Sequence, residues 1–242
     1  MKSPCEILGV PLHPYTMQEI LEAISARLSD RDRTFIVTAN AEIIMMCQKD
    51  TEYKDIVASK ADIVLPDGAG AVWAGRYLGW DVPERVAGFD LYCKLLEFSA
   101  THGYKSFFFG GGEGIAEAAR AKAESLYPGI QIVGCRNGYF SAEEEKDILD
   151  DINASGAEML FVALGAPKQE RWLAANLENL RPTLLMGIGG SFDVLAGKVE
   201  RAPKWMQDAS LEWAFRLYKQ PQRFMRMMAL PKFVFKVLLS KH

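Results

Sequence analysis

Short, almost wholly apolar runs alternate with longer helix-like stretches over the first 195 or so residues, and this alternation limits the fold more than any other feature. Near-continuous apolar runs suit strands of a parallel sheet that helices cover on both faces. Strand–helix alternation is typical of an open, doubly wound α/β sheet, so we predict a mostly parallel, Rossmann-like fold. The predicted strands are TFIVTAN, DIVLPD, KSFFFGG, QIVGC, MLFVALG and TLLMGIGG.

Capping signals and a change of pattern near residue 196 define the predicted organisation. Thr16 with Glu19, and Ser141 with Glu144, have the spacing of a capping box at a helix start. After residue 195 the strands stop and the composition turns helical. We therefore predict an α/β core over 1–195 and a C-terminal helical appendage over 196–242, with no internal repeat.

Composition places the chain among globular proteins of a reducing compartment. Of its 242 residues 49% are hydrophobic and 24% charged, which argues against wholesale disorder. The N-terminus lacks the pattern of a secretion signal, and no apolar run reaches the length of a membrane span. The four cysteines lie far apart, which favours reduced thiols over disulfides or a zinc site. We expect a cytoplasmic protein.

Charge is divided unevenly along the chain. The formal net charge is −3, yet the residues from 198 onward carry +7 and those before them −10. From Trp213 to the end there are seven basic residues and no acidic one. A tail of one sign on a body of the other indicates an anionic partner.

The tail itself is helical in composition, rich in Phe, Met, Leu and Trp, and punctuated by Pro221 and Pro231. One interpretation is a C-terminal helix packed on the sheet with its arginines solvated. The other is a basic amphipathic segment that lies on a membrane surface, and the missing acidic residues favour it. Under either interpretation, some of the apolar residues pack on the body.

Polar and glycine residues follow the predicted strands directly, where ligands bind in open α/β sheets. Each of them is also compatible with an ordinary turn or helix cap. Together they suit a large polar ligand. The residues are Thr38, Asn40, Asp67, Gly110, Gly111, Gly112, Lys168, Gln169, Ser191 and Asp193.

Two of these strand ends could meet phosphate. The turn after FFF, with Gly110, Gly111 and Gly112, can present backbone N–H groups at a helix start, although a plain tight turn explains it equally well. Lys168 falls in the first turn of a helix, where a cation opposes the helix dipole and would suit an anionic ligand.

The chain offers few groups for histidine or metal chemistry. It has only three histidines, and no D-x-D segment to hold a divalent ion against a diphosphate. A diphosphate would therefore have to be neutralised by cations and helix N-termini. Arg216, Arg223 and Arg226 of the tail are available, and the last two share a face if the segment is helical.

Taken in order, several motifs resemble the WecG/TagA/CpsF family of bacterial glycosyltransferases, most closely its TagA branch. The resemblance runs from about residue 5 to about residue 232. The motifs are TANAEIIMM, ADIVLPDGAGAVWAGRYLG, ERVAGFDL, FFFGGGEG, LFVALGAPKQERW, GIGGSFDVLAGKVERAPKWMQ and LEWAFRLYKQPQRFMR.

The resemblance implies an inverting, metal-independent transferase without a cofactor. Its TagA branch moves N-acetylmannosamine from UDP to undecaprenyl-diphosphate-linked N-acetylglucosamine, which starts wall teichoic acid synthesis. It implies Asp67 as catalytic base, with Thr38, Asn40 and Gln169 in the site. It also implies that Arg216, Arg223 and Arg226 close over the site and that the appendage touches the inner face of the membrane.

Elementary chemistry agrees with a single base. Inverting transfer is one displacement, so one group must take the acceptor proton, whereas a glycoside hydrolase uses two carboxylates. A nucleoside diphosphate is already a good leaving group, so cations can replace an acid. Glu170, beside Gln169, is a second carboxylate that could compete with Asp67. At a helix start it more often offsets the dipole.

Contacts with the donor are less sharply defined. Asp193 or Tyr139 could contact the uracil or ribose, with Gly110–Gly112 near the phosphates, and a helix cap is an equal interpretation of Asp193. The donor sugar could also be the uronic acid form or another hexose. Self-association through the tail is open, and we expect no nucleic acid partner.

Two other classes of function remain as alternatives. A nucleotide-cofactor oxidoreductase would share the fold, although the dinucleotide fingerprint is missing. A non-catalytic, membrane-recruited protein that binds nucleotide sugars is the second. Polar groups at so many strand ends favour an enzyme over it.

Overall fold

A computed structural model describes most of the chain. The described residues are 2–209, 211–219, 221 and 224–240, without the side chains of Asp208, Arg216 and Met225. The strands are β1 (Cys5–Ile7), β2 (Val10–Leu12), β3 (Thr34–Ala39), β4 (Ile63–Pro66), β5 (Lys105–Gly110), β6 (Gln131–Arg136), β7 (Met159–Ala163) and β8 (Leu184–Gly187).

Helices fill most of the intervals between strands and all of the C-terminal region. They are α1 (Met17–Ser29), α2 (Ala41–Cys47), α3 (Thr51–Asp55), α4 (Ala69–Tyr77), α5 (Gly88–His102), α6 (Ile115–Leu126), α7 (Glu145–Ala154), α8 (Lys168–Asn176), α9 (Ser191–Leu195), α10 (Lys204–Asp208), α11 (Glu212–Lys219), α12 (Phe224–Met227) and α13 (Ala229–Leu239). A π-helical turn, Ile56–Lys60, follows α3.

The central sheet has six parallel strands in the order β4-β3-β8-β7-β5-β6. These are the six strands predicted from the apolar runs, so the α/β fold with a parallel sheet is confirmed. β3 and β8 are neighbours, but α2 after β3 packs on one face and α9 after β8 on the other. Chain paths that diverge in this way open a crevice at the carboxyl ends of the strands.

Side chains within each strand alternate between two core layers, even though the strands are apolar throughout. In β3, Phe35 and Val37 belong to one layer and Ile36 to the other. In β5, Phe107 and Phe109 face the first layer, and the intervening phenylalanine faces the second. The period-2 geometry of a strand produces this division, and it explains why the sheet needs helices on both sides.

Two local features differ from the sequence expectation. β1 and β2 form an antiparallel hairpin that no pattern predicted, joined by Leu8 and Gly9, both with positive φ as a type I′ turn requires. Thr16 and Glu19 do form a complete capping box. The Ser141 N–H donates to Glu144 Oε2, but α7 begins at Glu145 with Glu144 as its N-cap, so the predicted start was three residues early.

The C-terminal helices pack partly on the core. Phe233 and Val237 of α13 are fully buried in the layer that contains α2 and α4. Val234, Phe235, Leu238 and Leu239 of the same helix are exposed. Packing of some tail residues on the body is therefore confirmed. In the described part of the chain, no helix is both long enough and apolar enough to cross a membrane.

Candidate active site

Asp67 directly follows β4 at the edge of the sheet. Its N–H donates to the carbonyl oxygen of Ala39, the last residue of the neighbouring β3, at 3.0 Å. Gly68, the next residue, has a φ of +88°, which L side chains rarely adopt, and begins the turn into α4. The backbone thereby fixes the direction of the Asp67 Cα–Cβ bond, and the side chain is half-buried.

Thr38 and Asn40 lie beside Asp67, as the parallel register of β3 and β4 requires. Asn40 caps α2, since its Oδ1 accepts from the Ile43 N–H at 3.1 Å. Thr38 contacts the start of α5, because a Cβ at Gly88 would lie 2.8 Å from Thr38 Oγ1. The structure thus gathers three of the predicted residues at one end of the crevice.

Asp67 and Asn40 open into a cavity of about 340 Å³, which we call the Asp67 cavity. Its walls come from the ends of β3 and β4, the start of α5, and the tail helices. The tail supplies an apolar part of the wall, through Trp213, Met227, Leu230, Phe233 and Val234.

A chain of ion pairs connects α11 of the tail to α5 beside this cavity, and no sequence pattern predicted it. Arg201 Nη2 donates to Asp90 Oδ2 at 2.9 Å, and Arg201 Nε lies 3.2 Å from Glu212 Oε1. Arg85 Nη2 lies 2.7 Å from the other oxygen of Glu212. Arg85, Arg201 and Glu212 all line the Asp67 cavity. Arg85 lies in the motif ERVAGFDL and Arg201 in GIGGSFDVLAGKVERAPKWMQ, so the family resemblance could have indicated both as site residues.

Gln169, in the first turn of α8, lies at the carboxyl edge of the sheet and is not among the residues that line the Asp67 cavity. It is buried, and its Oε1 accepts from the N–H groups of Gly165 and Gly189 at 3.1 and 2.9 Å. Its side chain therefore joins the loops that follow β7 and β8.

Glu170 holds the other end of the Gln169 amide. Gln169 Nε2 donates to Glu170 Oε1 at 2.7 Å, and the Tyr53 hydroxyl donates to Glu170 Oε2 at 3.1 Å. Glu170 is 1% exposed, and burial raises the pKa of its carboxyl above the ordinary value. Both oxygens are engaged inside the protein, so this carboxyl is not placed to take a proton from a substrate in the crevice.

The glycine turn after β5 makes close internal contacts. The Gly111 N–H donates to the Ala163 carbonyl at 2.9 Å, and the Gly138 N–H donates to the Gly111 carbonyl at 2.9 Å. A Cβ at Gly110 would lie 2.5 Å from the backbone of Ala163. The tight turn accounts for these two glycines, while phosphate contact by Gly110, Gly111 and Gly112 stays a prediction.

The other predicted donor contacts also lie along the carboxyl edge. Lys168 is exposed, with its ammonium 4.9 Å from the centre of the Phe140 ring. Tyr139 is 79% exposed in the loop after β6. Asp193 is in the first turn of α9, whose N-cap is Gly190 without a side-chain cap. These positions leave the predicted contacts with the donor untested.

Among the three tail arginines, Arg226 is described in full. Its Nε lies 3.3 Å from Glu42 Oε2 at the start of α2, and so it reaches the carboxyl edge of the sheet. The Arg216 side chain and Arg223 lie outside the described residues.

Among the histidine and cysteine residues, His13, Cys5 and Cys47 are buried, whereas His102 is exposed. His13 is buried, and its Nδ1 accepts from the Val64 N–H at 3.0 Å, while burial lowers its pKa. The four cysteines are free thiols, as predicted, with Cys5 and Cys47 buried. Within the described ranges, no group of three or more His, Cys, Asp or Glu side chains could hold a metal ion.

Comparison with known proteins assigns the chain to a family. The model of the glycosyl transferase WecG/TagA/CpsF family matches residues 5–242. An N-acetylglucosaminyldiphosphoundecaprenol N-acetyl-beta-D-mannosaminyltransferase of Bacillus spizizenii is 36% identical over 87% of this chain and 81% of its own length. A Staphylococcus aureus protein of the same name is 30% identical over 98% of this chain and 92% of its own. The chain therefore belongs to the WecG/TagA/CpsF family of glycosyl transferases.

Proposed function

We propose that this glycosyltransferase moves N-acetylmannosamine from UDP-N-acetylmannosamine to N-acetylglucosamine carried on undecaprenyl diphosphate. The names of its relatives support this acceptor and this sugar. The product would be the β-1,4-linked disaccharide lipid of wall teichoic acid synthesis. The observation that carries the proposal is Asp67, a carboxylate held by the backbone at the wall of a cavity large enough for a sugar.

In the proposed reaction, Asp67 takes the proton from the 4-hydroxyl of the acceptor sugar. The acceptor oxygen bonds to the anomeric carbon while the bond from that carbon to the β-phosphate oxygen breaks, and UDP leaves. Because this is a single displacement, the configuration at the anomeric carbon inverts.

Arginine side chains would stabilise the departing diphosphate, so the proposal needs no metal ion. Arg85 and Arg201 line the Asp67 cavity, and Arg226 reaches Glu42 in the same wall. Guanidinium groups bind phosphate in a bidentate manner. Arg85 and Arg201 already pair with Glu212, so a bound diphosphate would compete with that carboxylate. Arg216 and Arg223 belong to the same proposed set.

The membrane enters the proposal through the acceptor lipid. The tail combines lysines with exposed aromatic and aliphatic side chains, including Trp213, Tyr218, Phe224 and Phe235. A helix of this composition lies in the interface of an anionic bilayer. We propose that the protein binds the inner membrane face through α11–α13.

The test is a panel of UDP-sugars offered to the purified protein with N-acetylglucosamine-diphosphate-polyprenol, with and without a chelator. We expect transfer from UDP-N-acetylmannosamine, unchanged by the chelator, with a β linkage in the product by NMR. Transfer from a different UDP-sugar alone would show that the proposed donor is wrong. A product with an α linkage would refute the single displacement.

A further inference from the structure

A second cavity shares the wall residue Glu42 with the Asp67 cavity. It has a volume of about 430 Å³, and we call it the cationic groove. Its walls are formed by α2 and the residues just after it, the connection between β7 and α8, and the α12–α13 junction. Its lining residues are Glu42, Met45, Met46, Lys49, Ala166, Pro167, Arg226, Met228, Ala229 and Lys232.

The charges of the groove select an anion. Lys49, Arg226 and Lys232 face a single carboxylate, Glu42, which pairs with Arg226. The described lining therefore carries two positive charges in excess. Lys49, which directly follows α2, and Lys232 of α13 are not among the cations proposed for the UDP diphosphate. Both can therefore neutralise a second diphosphate, since each adds a favourable Coulomb interaction at close range.

The rest of the lining is apolar and flexible. Met45, Met46 and Met228 lie along the groove with Pro167. Methionine adapts its shape to irregular hydrocarbon surfaces. The lining that the structure describes offers no aromatic ring and no hydroxyl or amide side chain, so it has nothing with which to recognise a nucleotide base. An anionic head on a flexible hydrocarbon chain fits it better than a nucleotide does.

We propose that the cationic groove binds the diphosphate and the first isoprene units of the polyprenyl acceptor. This inference rests on the proposed function and specifies where its acceptor lies. The groove and the Asp67 cavity share Glu42 as a wall. Neighbouring residues of the α12–α13 junction also line different cavities. Met228 lines the groove, while Met227 and Leu230 line the Asp67 cavity.

This arrangement orders the acceptor across the two cavities. A sugar linked directly to a diphosphate in the groove would cross Glu42 into the Asp67 cavity. Its far hydroxyl would then approach the Asp67 carboxylate. The lipid chain would leave the groove along α13, beside the exposed Leu238 and Leu239.

The test measures binding, so it does not depend on transfer. Farnesyl diphosphate serves as the probe of the groove and UDP as the probe of the donor site, both followed by calorimetric titration of the full chain. The test variant is Lys49→Glu/Lys232→Glu. The control is Lys122→Glu, which changes an exposed lysine on α6 that lines neither cavity.

We expect the double variant to lose roughly twentyfold or more in affinity for farnesyl diphosphate, at about fivefold for each lost lysine. UDP binding and the control should be unchanged. Unaltered affinity for farnesyl diphosphate overturns the proposal, and so does an equal loss of UDP binding, which would assign the groove to the donor. If the unaltered protein transfers no sugar, the proposed function fails, while these titrations still decide the groove.

The hydrocarbon part has its own variant. Met228→Gln places an amide on the groove wall at a half-exposed position, so folding should be kept. We expect weaker binding of farnesyl diphosphate and unchanged binding of inorganic diphosphate, because the substitution removes only apolar contact. Equal binding of farnesyl diphosphate by both proteins would contradict a lipid-binding groove.

Discussion

At the residue scale, Glu170 shows how a conspicuous carboxylate can serve the site without touching substrate. It receives hydrogen bonds from Gln169 and Tyr53 and is nearly inaccessible to solvent. Through Gln169 it fixes the loops after β7 and β8, at Gly165 and Gly189. Its role is therefore to position the carboxyl edge of the sheet.

The raised pKa of Glu170 predicts a pH dependence of stability. Its folded pKa lies above the ordinary 4.5, so the folded protein keeps the proton to higher pH than the unfolded chain does. The free energy of unfolding then falls as pH rises from about 4.5 towards the raised pKa. In Glu170→Gln this decline should disappear, because the amide does not titrate.

Urea unfolding of both proteins between pH about 4.5 and about 8 measures this difference. Burial lowers the pKa of His13, so its contribution to the free energy of unfolding changes in the opposite direction. That contribution is lost as pH falls below the ordinary pKa of 6.5. That contribution is common to both proteins and cancels in the comparison. Parallel stability curves would show that Glu170 titrates normally.

The sequence could predict some site residues because a parallel register determines where they lie. Thr38, Asn40 and Asp67 follow adjacent strands, so their proximity follows once the strands are paired. Arg201 and Asp90 are 111 positions apart and meet only through tertiary packing of loops. No local pattern marks such a pair, so the ion pairs across the cavity were missed.

At the element scale, the turn between β4 and α4 determines the direction of the Asp67 Cα–Cβ bond. Gly68 has φ +88° and Gly79, just after α4, has φ +89°. A Cβ would meet no closer atom than 3.7 Å at Gly68 and nothing within 4 Å at Gly79. The two glycines therefore form a matched pair that differs mainly in distance from Asp67.

We predict that Gly68→Ala and Gly79→Ala each lower the free energy of unfolding by about 1–2 kcal/mol through backbone strain. Only Gly68→Ala should also lower kcat, by roughly a hundredfold, because the carboxylate moves away from its position. Denaturation and transfer assays on both variants measure this. Equal activity of the two variants would show that the turn does not position Asp67.

The central strands could be predicted from the sequence, whereas the β1–β2 hairpin could not. The six central strands are predominantly apolar because both faces of the sheet are buried, and such apolar runs can be recognised in a sequence. The β1–β2 hairpin has three-residue strands and turns at Leu8, a leucine with φ +50°. Leucine carries no turn signal, so the hairpin could not be recognised from its residues.

At the scale of the whole molecule, the tail has two opposite faces. Phe233 is fully buried against the core, while Phe235, two positions on, is 64% exposed. Removal of residues from about 196 would therefore strip α13 from the core as well as from the membrane. The two phenylalanines separate these roles.

We predict that Phe233→Ala lowers the free energy of unfolding by about 3–5 kcal/mol, the cost of a large cavity in the core. Phe235→Ala should leave stability within about 0.5 kcal/mol. Phe235→Ala should instead weaken binding to anionic vesicles, because it removes apolar surface from the membrane-facing side. Unfolding and vesicle sedimentation measure both effects. Undiminished sedimentation of Phe235→Ala would place the membrane contact elsewhere.

The proposed reaction depends on the Asp67 carboxylate, which takes the acceptor proton. The most direct measurement is single-turnover transfer from UDP-N-acetylmannosamine by Asp67→Asn, a nearly isosteric change, with UDP affinity and unfolding as controls. We predict a loss of about 10²–10⁴-fold in the rate of transfer, with UDP affinity and stability kept. Transfer at the unaltered rate would contradict this role and leave Asp67 as a turn residue alone.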